Sequence, residues 1–225
     1  GNGFEVIEEF RSIKSRDYED EKDKFWADYK KKYTGATKDP KIRLRKVVTE
    51  SDTLDIKRLY VSRGVDYSDL VFSRRITDSF VDPMLVFKER RKTEKVGEEE
   101  LVLRDDLVIP LSTAALVIYD PENTFDVNQI YLLFLTKGRV DTQKGTISII
   151  NGYLDDDGSR LNKDFLQREM FRELFEEALI PREEISYSQG FALCQYRESA
   201  DFVFVNYSTK LPDMVLERWR KETDA

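Results

Sequence analysis

Arg172-Glu173-Leu174-Phe175-Glu176-Glu177 is the stretch of this chain whose residue types and spacing could do chemistry. On a helix turning about 100° per residue, Glu169, Glu173, Glu176 and Glu177 share one arc. Leu166, Met170, Leu174 and Ala178 line an apolar stripe beside it, flanked by Phe171 and Phe175. Carboxylates crowded in this way repel one another by about 0.2–0.5 kcal/mol per i,i+4 pair. A hard divalent cation reverses that sign, because Mg²⁺ takes oxygen ligands and bridges carboxylates to phosphates. Taken alone, the run also describes a solvated acidic helix face.

Composition narrows the chemistry. The chain has no histidine, which removes Ser-His-Asp and Cys-His nucleophiles, HExxH zinc sites and histidine general bases. Carboxylates are left as the acid–base and metal-binding groups. The single cysteine, Cys194, excludes an internal disulfide and a four-cysteine zinc site; in the run Phe-Ala-Leu-Cys it is expected to be a small buried residue. Hydrophobic residues make up 40% and charged residues 36% of the 225, the balance of a globular protein with a heavily charged surface. The net charge of −7 argues against nucleic acid as a partner, since that binding rests on many Lys/Arg–phosphate contacts. No apolar run approaches the ~20 residues of a membrane span. Without a visible secretory leader, a cytoplasmic location is expected.

The acidic run resembles the core of the Nudix box, G-x5-E-x7-R-E-U-x-E-E-x-G-U with U apolar. Here Leu179 stands at its last Gly. Upstream, Gly145 to Gly152 resembles the family's Gly-x-Trp-x-x-Pro-Gly-Gly segment, with Ile147 for Trp, Ile150 for Pro and Asn151-Gly152 for Gly-Gly. Asp155 falls at the following Glu. This alignment makes Gly152 the box glycine and leaves an insertion around Asp156 to Leu161. A rival alignment uses Gly158, puts Asp164 at the early Glu and needs no gap. The resemblance covers about 107–225. It implies hydrolysis of the pyrophosphate linkage in a nucleoside diphosphate derivative, with Mg²⁺ or Mn²⁺ as cofactor and a small nucleotide as substrate. It also implies residue roles. Glu176 and Glu177 would be the main metal ligands, Glu173 a third ligand or the group orienting water, and Arg172 the holder of a glutamate. The Gly152 carbonyl would be a further ligand. Glu198, from a later loop, and Glu169 are additional candidates. A Nudix-like domain that binds a nucleotide or diphosphate without hydrolysing it, as a regulator, is the alternative.

The elements that must position these groups follow from periodicity. An α+β or α/β fold is expected: a Nudix-like mixed β-sheet sandwiched by helices over 107–225, behind an N-terminal α+β extension over 1–106. In the extension, 4–33 reads as a helical arm in two pieces, stopped at Thr34-Gly35. Its aromatic face, Phe25, Trp26 and Tyr29, reads as packing on the chain itself or as a homodimer contact. Lys41 to Val47 alternates like a half-exposed strand; Lys41, Arg43, Arg45 and Lys46 read as a solvated face, or as a grip for phosphates. A short helix is expected over 51–60. Short strands are expected at 70–72 and 84–87, with an Asp82-Pro83 turn between them. An exposed loop or hairpin tip is expected over 88–100.

In the second half, 113–119 and 130–136 read as buried strands. Lys137-Gly138-Arg139 ends the second. The acidic helix runs from Asp164 to Leu179, stopped by Pro181, and is packed through Leu166, Met170, Leu174 and Phe175. Two strands follow over 185–196 and 201–207. A closing helix over 213–222 turns Met214, Leu216 and Trp219 inward.

Overall fold

Asp66 decides the local structure of the first third of the chain. Its Oδ1 accepts the Ser68 N–H at 2.8 Å and the Asp69 N–H at 3.3 Å, while Asp69 Oδ2 accepts the Asp66 N–H at 2.8 Å. This reciprocal capping box starts a helix on which Leu70, Val71 and Phe72 are buried. The computed structural model describes residues 4–10, 16–53, 55–77, 87–104, 107–136, 147–196 and 199–217. They form a mixed β-sheet with helices, an α+β fold.

The chain divides into two compact units. One comprises Gly1–Ser112, Tyr153–Phe165 and Leu193–Asp201; the other comprises Thr113–Gly152, Leu166–Ala192 and Phe202–Ala225. The first unit holds β1 (Glu5–Glu8), α1 (Arg16–Lys32), β2 (Pro40–Glu50), β3 (Ile56–Asp66), α2 (Tyr67–Thr77), β4 (Phe87–Lys92) and β5 (Glu98–Leu103). It also holds the start of β6 (Ile109–Tyr119). β1 runs parallel to β3, whereas β2 pairs antiparallel with β3, β5 and the first residues of β6. On α1, Trp26 is buried; Phe25 and Trp26 meet Phe72 and Tyr67 at ring distances of 5.6 and 6.4 Å. The aromatic stripe of the arm therefore packs within its own unit. The two helices also share a buried ion pair, Lys22 Nζ to Asp69 Oδ1 at 3.0 Å.

The second unit holds the rest of β6, then β7 (Tyr131–Leu133), β8 (Leu135–Thr136) and β9 (Ile147–Ser148). β6 is the middle of its sheet, with β7, β10 (Ile150–Tyr153) and β12 (Ser199–Ser208) paired to it and β11 (Tyr187–Tyr196) paired outside β12. β8 and β9 form a separate ribbon. α3 (Lys163–Ala178) begins after Asn162, whose Oδ1 accepts the Phe165 N–H at 2.8 Å, an N-cap. Phe165, Leu166, Met170 and Leu174 are buried. The buried Asn206 on β12 donates from Nδ2 to Met170 Sδ at 3.6 Å.

Several expectations are corrected. Glu5–Glu8 is a strand, not the first piece of a helix: Val6 and Ile7 are β-branched, and the open edge of β3 receives them. Residues 51–53 form a turn and β3 starts at Ile56, because the antiparallel ladder with β2 outweighs the local helix signal over 51–60. Residues 70–72 are helical, for the capping reason given above. Residues 130–136 do not form one buried strand: β7 and β8 break at Phe134, and Tyr131, Leu132 and Phe134 are exposed. Phe175 and Met214 are exposed, and so is Cys194, on the outermost strand β11.

Arg43 and Arg45 are buried rather than solvated, since both faces of β2 are covered. The 88–100 stretch is the β4–β5 hairpin, turned at Gly97 with φ 82°. Residues 213–217 are helical. The Asp82-Pro83 turn, Met84 to Val86, Lys137 to Arg139 and Trp219 lie outside the described residues. Among the described residues no helix is long and apolar enough to cross a membrane.

Candidate functional site

Arg172 sits in the middle of α3 and gathers the acidic arc. Its Nε donates to Glu169 Oε2 at 3.0 Å, its Nη1 to Glu176 Oε2 at 2.7 Å and its Nη2 to Glu173 Oε1 at 2.6 Å. Helix spacing explains two of the three bonds, because Glu169 and Glu176, three and four positions away, lie on the same side as Arg172, while Glu173 is its immediate neighbour. Burial alone would lower the guanidinium pKa; the Glu169 hydrogen bond and the charges of Glu173, Glu169 and Glu176 outweigh it and hold the group well above its ordinary range. Glu169 is 6% exposed, so it is an inner support of this cluster rather than part of a solvated face, and Arg168 Nε also reaches it. Glu176 and Glu177 are exposed.

Gly152, on β10, reaches the same cluster from a separate segment. A methyl group on its Cα would overlap the Glu173 carboxylate. Glu173 is thus held between the Gly152 backbone and the Arg172 guanidinium, an approach only glycine allows. Gly158 differs: it takes φ +78° in a turn, and a side chain there would meet open space. Of the two candidate glycines, only Gly152 meets the glutamates. Asp155 is bound by Lys41, and Asp164 is exposed in the first turn of α3. Glu198 lies outside the described residues, as do Gly145 and Thr146.

Leu179 stands where the motif has its last glycine. It adopts φ +59° and donates its N–H to Phe175 O at 2.9 Å, ending α3 in the left-handed conformation that usually calls for glycine. The departure is conformational: the turn is made, by a residue poorly suited to it.

The donor set is all oxygen, which suits a hard cation by type. The arrangement is less open. Among the described residues no group of three His, Cys, Asp or Glu side chains converges to hold a metal. Glu169, Glu173 and Glu176 close on Arg172 instead, so an ion would compete with the guanidinium for the same oxygens. The Gly152 approach could be anticipated only through the aligned strand, and the support given by Glu169 only from its position three residues before Arg172. In comparison with known proteins, no family model matches the chain, and no curated protein matches it.

Proposed function

We propose that the chain hydrolyses the pyrophosphate linkage of a nucleoside diphosphate derivative with the help of a divalent metal ion. The observation that carries the reading is the meeting of Gly152 with Glu173, which Arg172 holds. Two segments that resemble one motif, separated by an insertion, bring their functional groups together in space. Glu173, Glu176, Glu177 and the Gly152 carbonyl are the groups that would hold Mg²⁺ or Mn²⁺. Such an ion neutralises phosphate charge and acidifies water. Arg172 fixes the rotamers of Glu169, Glu173 and Glu176, so the carboxylates are oriented before a ligand arrives. Because the chain has no histidine, a carboxylate is the natural acceptor for a proton removed from water, and Glu173, pinned on two sides, is the best-oriented one.

A second reading has an observation in its favour. The carboxylates are satisfied by Arg172 without an ion, as a diphosphate-binding regulatory domain would permit.

The experiment is phosphate-product release from a panel of nucleoside diphosphate derivatives, with and without Mg²⁺. Turnover that needs Mg²⁺ and falls by orders of magnitude in Glu176→Gln and Glu177→Gln, with melting temperature unchanged, supports hydrolysis. Binding without turnover supports the regulator. Full activity in both variants would place the active site elsewhere.

A further inference from the structure

Several buried and half-buried basic side chains of the first unit are matched. Lys22, Lys41, Lys46, Arg58 and Arg63 each hold a carboxylate. Arg43 does not. It lies in β2 with 3% of its surface exposed, and its Nε has no hydrogen-bond partner; no ion pair to it is found among the described residues. A guanidinium taken out of water with no counter-charge is strongly disfavoured, so a buried unpaired arginine asks for an anion.

The neighbouring strand points to the same spot. Ser62 is the cross-strand partner of Arg43 on β3, and directly opposed residues project from the same face of a sheet. Ser62 is 2% exposed and its Oγ is also buried without a partner. The β2–β3 ladder shifts register on both sides of Arg43, between Lys41 and Arg43 and between Leu44 and Lys46. Gly64, at φ +78°, lies within the first shift. Bulges of this kind re-aim side chains and recur beside functional sites. Pro110, the partner of Arg43 on β6, offers no side-chain acceptor.

We propose that Arg43 and Ser62 form an internal site for the oxyanion group of a small ligand, a phosphate or a carboxylate. The guanidinium supplies charge and planar donors, and the hydroxyl supplies one more donor from the adjacent strand. A water molecule would satisfy the hydroxyl but leave the arginine charge uncompensated; an oxyanion satisfies both. This site is independent of the α3 carboxylates, and its failure would leave the hydrolase reading untouched.

The test is thermal melting of the whole chain in inorganic phosphate, in acetate and in chloride at matched ionic strength. The expected result is a saturable rise in melting temperature with phosphate, acetate or both. A response to phosphate alone identifies a phosphate-bearing ligand, and one to acetate alone a carboxylate. Arg43→Met should melt at or above the unmutated protein in chloride, because an unpaired buried charge is removed, and should lose the anion response. Ser62→Ala should keep the response with about 5-fold weaker apparent affinity, the loss of one hydrogen bond. It carries the test if the methionine variant does not fold. No saturable response to either anion, an equal response in a folded Arg43→Met protein, or an unchanged affinity in Ser62→Ala would each overturn the proposal.

Discussion

Glu173 is the residue on which the site turns, and its neighbour Gly152 offers the cleanest test of it. Gly152→Ala adds one methyl group where the Glu173 carboxylate now lies. Gly152 is not among the residues with positive φ, so alanine meets no backbone strain there. The flexible end of Glu173 must give way, and its bond to Arg172 Nη2 goes with it. On the proposed hydrolase reading, diphosphate hydrolysis is expected to fall at least 10-fold while the urea midpoint moves by no more than about 1 kcal/mol equivalent. Unchanged activity would show that the approach of Gly152 to Glu173 is packing alone. At this scale the acidic run is legible from helix periodicity, and the glycine only through its flanking strand. The buried state of Arg43 is not legible at all. Basic residues alternating with apolar ones ordinarily mark a solvated strand face, and nothing local announces that both faces of β2 are covered.

The ends of elements say more about this chain than their middles. α3 is bounded by the Asn162 cap and by Leu179 in the left-handed turn. The left-handed region costs a non-glycine residue roughly 1–2 kcal/mol, and Leu179 is 43% exposed, so it recovers only part of a leucine's burial. Leu179→Gly is therefore expected to raise stability by about 0.5–1 kcal/mol, measured by urea unfolding. A loss of stability would mean that the leucine side chain contributes more than its backbone costs. The α2 region shows how a short apolar run misleads. Leu70-Val71-Phe72 fits strand or helix equally, and the deciding signal is the pair of aspartates at 66 and 69, which cap the helix by hydrogen bonds to each other's backbone. The 130–136 run misleads in the opposite way: its apolar composition is continuous, but it is split at Phe134 and largely exposed.

For the molecule as a whole, charge and pH set the terms of stability. Asp120, after β6, accepts the Thr124 and Phe125 N–H groups at 3.2 and 2.8 Å and the Tyr207 hydroxyl of β12 at 2.6 Å. Burial pushes its carboxyl upward, but these hydrogen bonds prevail and hold it below its ordinary value of about 3.9. The Tyr207 phenol is pushed up to about 12, by burial first and by Asp120 second. A depressed carboxyl stabilises the fold above its unfolded pKa and loses that contribution as pH falls through the folded value. Asp120→Asn should accordingly lower the melting temperature at pH 7 and make a smaller difference at pH 3. An equal loss at both pH values would show that the carboxylate charge plays no part.

The division into two units is not one that a ribosome can complete in turn. The first unit needs Tyr153–Phe165 and Leu193–Asp201, and the second begins before either has been made. Lys41 finds Asp155 across 114 residues, and Arg63 finds Asp156 across 93. Contacts so distant in sequence raise the contact order, which slows folding more than it costs stability. A nascent chain that has emerged as far as Ser112 still exposes surfaces whose partners have yet to be translated.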